Sequence, residues 1–313
     1  MSQAPDEVVE LADRRSAARE ERDFASADAL RDEIAALGWV VADVPDGYTL
    51  APRPPFEVLR GLADLPDRSS EPDTRHCSVG LLVEGWPEDL DRCVSALVAH
   101  APADVVVIGL DLGDVDGAGR VLHDLAAAHP GRVEEWHVAA TPEQAGWGRA
   151  RQALMRLDTA AVHVLMDPSS VLDGDALTPL LTALAEPGVV GAGWRGTNVD
   201  LADGWRSFVD AGPGEVDALL GYLMAVRRDA LLGVGGPHPK ARFYRNADME
   251  LSLALREAGG RLVVPDGELP VHQERHRGYH DSAPEYRDRE SRRTYDRLLQ
   301  RFRGRDDLLA PRA

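Results

Sequence analysis

Asp248 and Glu250 stand two positions apart in the stretch Asn246-Ala247-Asp248-Met249-Glu250-Leu251-Ser252-Leu253-Ala254-Leu255-Arg256-Glu257-Ala258-Gly259. Ala247, Leu251, Ala254, Leu255 and Ala258 recur at offsets 0, 4, 7, 8 and 11, one face of an α-helix. Gly259-Gly260 ends the pattern, as Gly does beyond a helix C-terminus. A helix start favours anions through its free N–H groups and its dipole. Asp248 can stay ionised there with a fixed aim, which suits a general base that faces a substrate hydroxyl. The same pattern also fits a first-turn carboxylate that only stabilises its helix.

The elements that would position such a base begin at Cys77. Val79-Gly80-Leu81-Leu82-Val83 reads as a buried strand, and Pro87 starts a helix with Leu90, Cys93, Val94, Leu97 and Val98 on one side. Val105–Ile108 is a second strand, a helix follows near 117–129, and Val133–Val138 is a third. Trp147–Leu157 reads as helix and Val162–Met166 as strand. Repeated β-α units predict an α/β fold with a mainly parallel sheet covered by helices on both faces. Ligands of such sheets bind beyond the carboxyl ends of the strands. Glu84, Asp111 and Asp167 each follow an apolar strand and so form one candidate rim.

The order of elements from Cys77 to about His280 resembles glycosyltransferase family 2, nucleotide-sugar transferases of the GT-A fold. Asp248-Met249-Glu250-Leu251-Ser252-Leu253 looks like that family's acidic helix motif, which implies that Asp248 is the catalytic base. The family usually has Glu just before this Asp; Ala247 stands there, leaving Glu250 as a second catalytic candidate. Gly221–Leu231 followed by Val234-Gly235-Gly236 resembles the strand and turn on the acceptor side. Met166-Asp167-Pro168-Ser169-Ser170 occupies the place of the metal-binding Asp-x-Asp, with Ser169 where the second Asp would be. The resemblance implies that Asp167 and His272 hold Mg²⁺ or Mn²⁺ together with diphosphate oxygens. It also implies that Gly146, Arg149 and Arg151 face the donor, since helix-start N–H groups and an Arg suit a diphosphate. Glu84 and Asp111 join that donor-binding set, Asp111 towards the nucleobase. Structural readings stand beside these: a turn at Asp167, a satisfied structural His272, a helix cap at Asp111, helix punctuation at Gly146. Arg275-His276-Arg277-Gly278-Tyr279-His280 is a basic, aromatic cluster that reads either as a lid over the diphosphate or as a solvated turn.

Residues 1–50 form a separate module. Pro5-Asp6-Glu7 starts a charged helix, and Phe24, Ala27, Leu30, Ile34 and Leu37 line a second that stops at Gly38. Trp39-Val40-Val41, the turn Pro45-Asp46-Gly47 and Tyr48-Thr49-Leu50 predict a β-hairpin. The run Ala17–Ile34, then Gly38 and Asp43–Gly47, resembles the C-terminal tail of bacterial cysteinyl-tRNA synthetases. No synthetase ATP-binding signature or zinc-binding cysteine set accompanies it, so a docking role for proteins is expected. Residues 51–74, with five prolines, read as a linker. The GT-A-like domain is expected over 75–282, with a C-terminal helix and tail over 283–313.

The chain has 313 residues and a net charge of −18, from 35 basic and 53 acidic residues. That excess argues against general nucleic-acid or anionic-membrane binding. Lys240 is the only Lys among the basic residues, a bias read as genome composition. Cys77 and Cys93 form no metal or disulfide pattern. No apolar run approaches the roughly 18 residues of a membrane span, and cytoplasmic location is the default expectation. The resemblance to glycosyltransferase family 2 implies transfer of a sugar from a nucleotide-diphospho-sugar to the hydroxyl of a glycan, lipid-linked or small acceptor, and implies inversion. The alternative is a catalytically impaired GT-A domain that binds nucleotide or a partner without turnover.

Overall fold

The structure, a computed structural model, describes residues 4–44 and 47–312. Pro45 and Asp46, expected in a turn, lie outside the described residues. The chain divides into two compact units, Met1–Phe56 and Glu57–Ala313.

In the smaller unit, α1 (Asp6–Glu20) and α2 (Phe24–Ala36) form a helical hairpin, and β1 (Trp39–Val44) pairs antiparallel with β2 (Gly47–Pro52). Asp23 caps α2 by accepting the Ser26 N–H at 3.1 Å, the local reason the helix starts there. Val8, Leu11 and Ala12 of α1 pack on Leu30, Ile34 and Val41. Arg15, buried beneath this hairpin, meets Asp43 at 2.6 Å.

The larger unit begins with the β-α units expected from the sequence. These are β3 (Arg75–Val83), α3 (Pro87–His100), β4 (Val106–Leu112), α4 (Ala118–Ala128) and β5 (Val133–Val138). A short α5 (Pro142–Ala145) leads into α6 (Trp147–Leu157) and β6 (Ala160–Met166). Next come β7 (Ser170–Leu172), α7 (Leu177–Leu184), β8 (Val189–Gly193), β9 (Gly196–Val199), β10 (Phe208–Ala211) and β11 (Gly214–Glu215). The chain continues through β12 (Ala218–Leu219), β13 (Leu223–Arg227), α8 (Arg228–Gly233), α9 (Ala247–Glu257) and β14 (Arg261–Val264). It ends with β15 (Val271–Gln273), α10 (Arg277–His280) and α11 (Pro284–Phe302).

Among the described residues eight strands form the main sheet, in the order β11-β14-β8-β13-β6-β3-β4-β5. The pairs β3–β4, β3–β6, β4–β5 and β14–β8 are parallel. β13 runs antiparallel between β6 and β8. From Cys77 to Val83 every residue of β3 is buried, as befits a strand covered on both faces.

Three local pairings bring distant segments to the end of β6. Because β13 is antiparallel, its first residue, Leu223, sits opposite the last residue of β6, Met166. The Asp167 N–H therefore reaches the Tyr222 carbonyl at 3.2 Å. β7 pairs with β15, and the Glu274 N–H donates to the Ser169 carbonyl at 2.8 Å, so residues 274–276 return to the same corner. Finally, α9 lies against β12, where Ser252 Oγ accepts the Leu219 N–H at 3.0 Å.

The stretch 51–74 is shared between the units. Ala51 and Pro52 complete β2, whereas residues from Glu57 onward belong to the larger unit. There Arg228 grips the Arg68 carbonyl at 2.6 Å and the Glu71 carbonyl at 3.0 Å. The C-terminal helix belongs to the larger unit as well: Leu298 and Phe302 pack on Met249, Leu253 and Ala254.

Candidate active site

Two adjoining chambers open beyond the end of β6. The larger, about 510 Å³, is bordered by Glu84, Trp86, Asp89, Arg151, Asp167, Ser169, Arg242, His276 and Arg277, among others. The smaller, about 240 Å³, is bordered by Leu220, Gly221, Tyr222, Arg245, Asn246, Asp248 and Met249. Trp147, Arg151, Asp167, Tyr244 and His276 belong to both walls.

Asp167 sits at the junction. Its Oδ1 accepts the Ser169 N–H at 2.8 Å and the Ser169 hydroxyl at 2.6 Å. Its Oδ2 lies 2.9 Å from His276 Nε2. Burial alone would raise the Asp167 pKa, but the His276 bond and charge, with the Ser169 bonds, hold it below the usual carboxylate value. The same pair acts in reverse on His276: burial would lower it, and Asp167 holds it above the usual imidazole value.

This pair fits a divalent cation. Two ligand atoms bonded at about 2.1 Å and at right angles lie about 3 Å apart. His276 Nδ1 accepts the Tyr279 N–H at 3.0 Å, a donor shared with the His276 carbonyl at 3.1 Å. A proton on Nδ1 would face that N–H, so a cation on Nε2 requires the Tyr279 N–H to turn wholly to the His276 carbonyl. Among the described residues no three His, Cys, Asp or Glu side chains gather as a closed metal cage. An ion here would complete its shell with water and phosphate oxygens, the usual habit of Mg²⁺.

Glu84 lies in the larger chamber, where burial, opposed by Arg151 and reinforced by Asp167, pushes it up to about 7. Arg151 is buried, and its guanidinium donates to the Gly80 and Met166 carbonyls, each at 2.8 Å. It thereby fastens the peptide that immediately precedes Asp167. Burial, opposed by Asp167 and Glu84, lowers Arg151 to about 10. Arg149 is exposed and lines neither chamber. Residues two apart on a helix point to different sides, so Arg149 and Arg151 cannot both face the sheet. Gly146 borders neither chamber; its φ of +75° makes the turn between α5 and α6. Gly148 has a packing reason: a Cβ there would come within 2.1 Å of the His238 carbonyl oxygen.

Asp248 borders the smaller chamber on the first turn of α9. Its Oδ2 accepts the Gly221 N–H at 3.0 Å and its Oδ1 accepts the Met249 N–H at 2.9 Å. Burial raises its pKa, and these backbone donors oppose the rise. A carboxylate so held keeps free lone pairs for a hydroxyl.

Besides Arg149 and Gly146, three further expected site residues lie elsewhere. Glu250 is buried on the far side of α9, where both oxygens meet Arg297 of α11 at 2.6 Å. Asp111 is 1% exposed and turns inward, 3.1 Å from His137 Nδ1, its register partner on β5, while accepting the Asp114 N–H. His272 is exposed, paired with Asp173 at 2.7 Å and Glu274 at 3.5 Å, and borders neither chamber. The imidazole beside Asp167 belongs instead to His276. β15 points His272 outward, and the chain re-enters the site only after Glu274. Tyr244 and Arg245 were missed in the sequence. Their signal was position alone, immediately before the acidic helix.

Residues 1–49 match the family model of the cysteinyl-tRNA ligase anticodon binding domain. A cysteine–tRNA ligase of Opitutus terrae is 55% identical over 51 residues, which are 16% of this chain and 11% of that protein. The enzyme of Nitratidesulfovibrio vulgaris is 58% identical over 43 residues, 14% of this chain and 9% of its own. This chain thus spans about a tenth of those relatives. Among solved structures, GalNAc-T7 with UDP, GalNAc and Mn²⁺ aligns with a TM-score of 0.57 and 14% identity. It covers 72% of this chain and 48% of its own. The mannosyltransferase PcManGT of Pyrobaculum calidifontis, in complex with GDP-Man and Mn²⁺, aligns at 0.52 and 15% identity over 76% of this chain and 77% of its own. The chain therefore carries an N-terminal segment that matches the cysteinyl-tRNA ligase anticodon binding domain model, followed by a mixed α/β unit with the fold of GT-A glycosyltransferases.

Proposed function

We propose that the larger unit transfers a sugar from a nucleotide-diphospho-sugar to an acceptor hydroxyl with inversion. The supporting observation is the junction of the two chambers, where Asp167 and His276 border the larger space and Asp248 the smaller. The larger chamber takes the donor and the smaller takes the acceptor. Asp248 removes the proton of the attacking hydroxyl, held by the Gly221 and Met249 N–H groups. Trp147 and Tyr244 flank the reacting sugar and keep water out. Asp167 and His276 would hold Mg²⁺ or Mn²⁺, which would supply charge neutralisation to the departing diphosphate. Arg151 keeps Asp167 in place through the Met166 carbonyl.

Ser169 in place of a second carboxylate favours a second reading, a domain that binds nucleotide without turnover. Thermal shift with UDP, GDP and their sugars, with and without Mn²⁺, combined with an assay for released nucleoside diphosphate, separates the two. Stabilisation together with release supports the transferase. Stabilisation without release supports the binding domain, and no stabilisation by any donor removes both. For residues 1–50 we propose protein docking rather than RNA binding, on the strength of the overall acidity of the chain. Among the described residues no helix is long and apolar enough to cross a membrane.

A further inference from the structure

Asp111 borders neither chamber, yet it restrains the wall of one. Residues 113–117 join β4 to α4, and within them Asp114 and Asp116 hold left-handed backbone angles, φ +48° and +54°. Side chains other than glycine keep such angles only where their surroundings impose them. Here both Asp111 oxygens accept the Asp114 N–H, at 3.1 and 3.2 Å. The next residue, Val115, borders the larger chamber. It lies so close to Gly85, another wall residue, that a Cβ there would come within 3.1 Å of its Cγ1. Asp111 therefore fixes part of the wall around the space assigned to the donor.

Two carboxylates crowd that turn. Asp111 Oδ2 and Asp114 Oδ1 lie 2.6 and 2.9 Å from the point that a Gly119 Cβ would occupy. The buried ring of His137 stands beside them, its Nδ1 3.1 Å from Asp111 Oδ2. Its Nε2 meets Glu135 Oε2 at 2.8 Å. A neutral imidazole has one N–H and one lone pair, so it would turn the lone pair on one of these carboxylates. Only the imidazolium donates to both. Burial would lower the His137 pKa, but the bonds to Asp111 and Glu135 outweigh it and hold it above the usual value.

Among the described residues, Asp111 of β4 and Glu135 of its own strand face the ring, and Asp114 of the turn stands behind Asp111. From α4, Arg120 approaches Asp114 at 3.8 Å and His123 meets Glu135 at 2.9 Å. Leu59, bridged to the outer edge of β5, is apolar. Loss of the His137 proton leaves Asp111 and Asp114 to repel each other with one cation fewer beside them. The hold on Asp114, and through it on Val115, weakens.

Resting on the transferase reading, we propose that His137 is a positioning residue for the nucleotide donor. Its imidazolium, held between Asp111 and Glu135, keeps residues 113–117 in place beside the larger chamber, and donor affinity falls when the proton leaves. The test is calorimetric titration of the full chain with UDP and GDP, saturated with Mg²⁺, from pH 6.5 to pH 9. The ring nitrogen shifts of His137 are read by NMR over the same range without nucleotide. The expected result is both nitrogens protonated at pH 6.5 and roughly tenfold weaker nucleotide binding once the ring is neutral, within the usual range of coupling between sites. Glu135→Gln removes one carboxylate and should move both the ring titration and the fall in affinity to lower pH. His137→Asn, uncharged, should bind nucleotide at pH 6.5 as weakly as the wild type with a neutral ring. A role in folding alone would lower the melting temperature of these variants without moving the pH dependence of binding. A neutral ring at pH 6.5, an affinity that ignores the ring's titration, a midpoint unmoved by Glu135→Gln, or wild-type affinity in His137→Asn overturns the proposal. Absence of binding by both nucleotides at pH 6.5 is a different result: it removes the transferase reading itself, and this inference with it.

Discussion

His276 Nε2 and Asp167 Oδ2 lie 2.9 Å apart, although 109 positions separate them in the chain. The contact depends on β7 and β15, whose pairing folds residues 274–276 back over the end of β6. It joins the two chambers, and its loss should be felt in both.

Removal of the imidazole tests the cation assignment. His276→Ala should weaken Mn²⁺-dependent stabilisation by nucleoside diphosphate by roughly tenfold to a hundredfold, the scale for loss of metal-site support. His272→Ala should leave it unchanged, since that ring pairs with Asp173 on the surface. Titration with Mn²⁺ at fixed nucleotide, read by melting temperature and repeated after chelation, compares the two variants. Equal effects would remove His276 from the site.

Asp248 is the second target. Asp248→Asn should lower kcat by about 10²–10⁴, the range for a positioned general base. Donor stabilisation should persist, because the larger chamber does not include Asp248. The sign of the pH effect follows from burial, which raises this carboxyl. A base works only when ionised, so kcat/KM should fall with falling pH, and its acid limb should centre above the ordinary aspartate value of about 3.9. A flat profile from pH 8 down to pH 4 contradicts the assignment.

Glu250 separates a catalytic carboxylate from a structural one in the same helical turn. Its ion pair with Arg297 ties α9 to α11. Removing the buried partner leaves Arg297 only partly hydrated, so Glu250→Ala should lower the denaturant midpoint while kcat, measured on the folded fraction, stays near wild type. The reverse pattern, full stability with lost turnover, would return Glu250 to the chemistry.

These contrasts explain what was legible in the sequence. Apolar runs and helical spacing carry information about burial, so Val133–Val138 and Trp147–Leu157 were readable residue for residue. The position of Asp248 in the first turn of a helix was readable because that placement is local. The partner of Asp167 was not. His272 and His276 differ by one turn of chain, and the choice between them is made by the register of β15 against β7. Asp111 was misplaced for a similar reason: the rule for strand ends locates a residue on a rim, but its contact with His137 turns the carboxylate inward. Tyr244 and Arg245 carry no motif, and only the fold gives them a cavity.

A buried carboxylate outside both chambers contributes to acid stability. Asp158 is fully buried at the start of β6, where it accepts from the Ala160 N–H at 2.8 Å, meets His163 Nδ1 at 2.6 Å and bonds the Ser78 hydroxyl. Burial would raise its pKa, but these partners outweigh it and hold Asp158 below the ordinary value. A depressed folded pKa means that the stabilisation is complete above the unfolded value, about 3.9, and is lost as pH falls through the folded value. The melting temperature of the wild type should therefore drop steeply below about pH 4. Asp158→Asn should melt lower at pH 7 yet show a shallower decline on acidification, because it has no proton to gain. Parallel pH–melting curves for the two proteins would show that this carboxylate does not govern the acid limb.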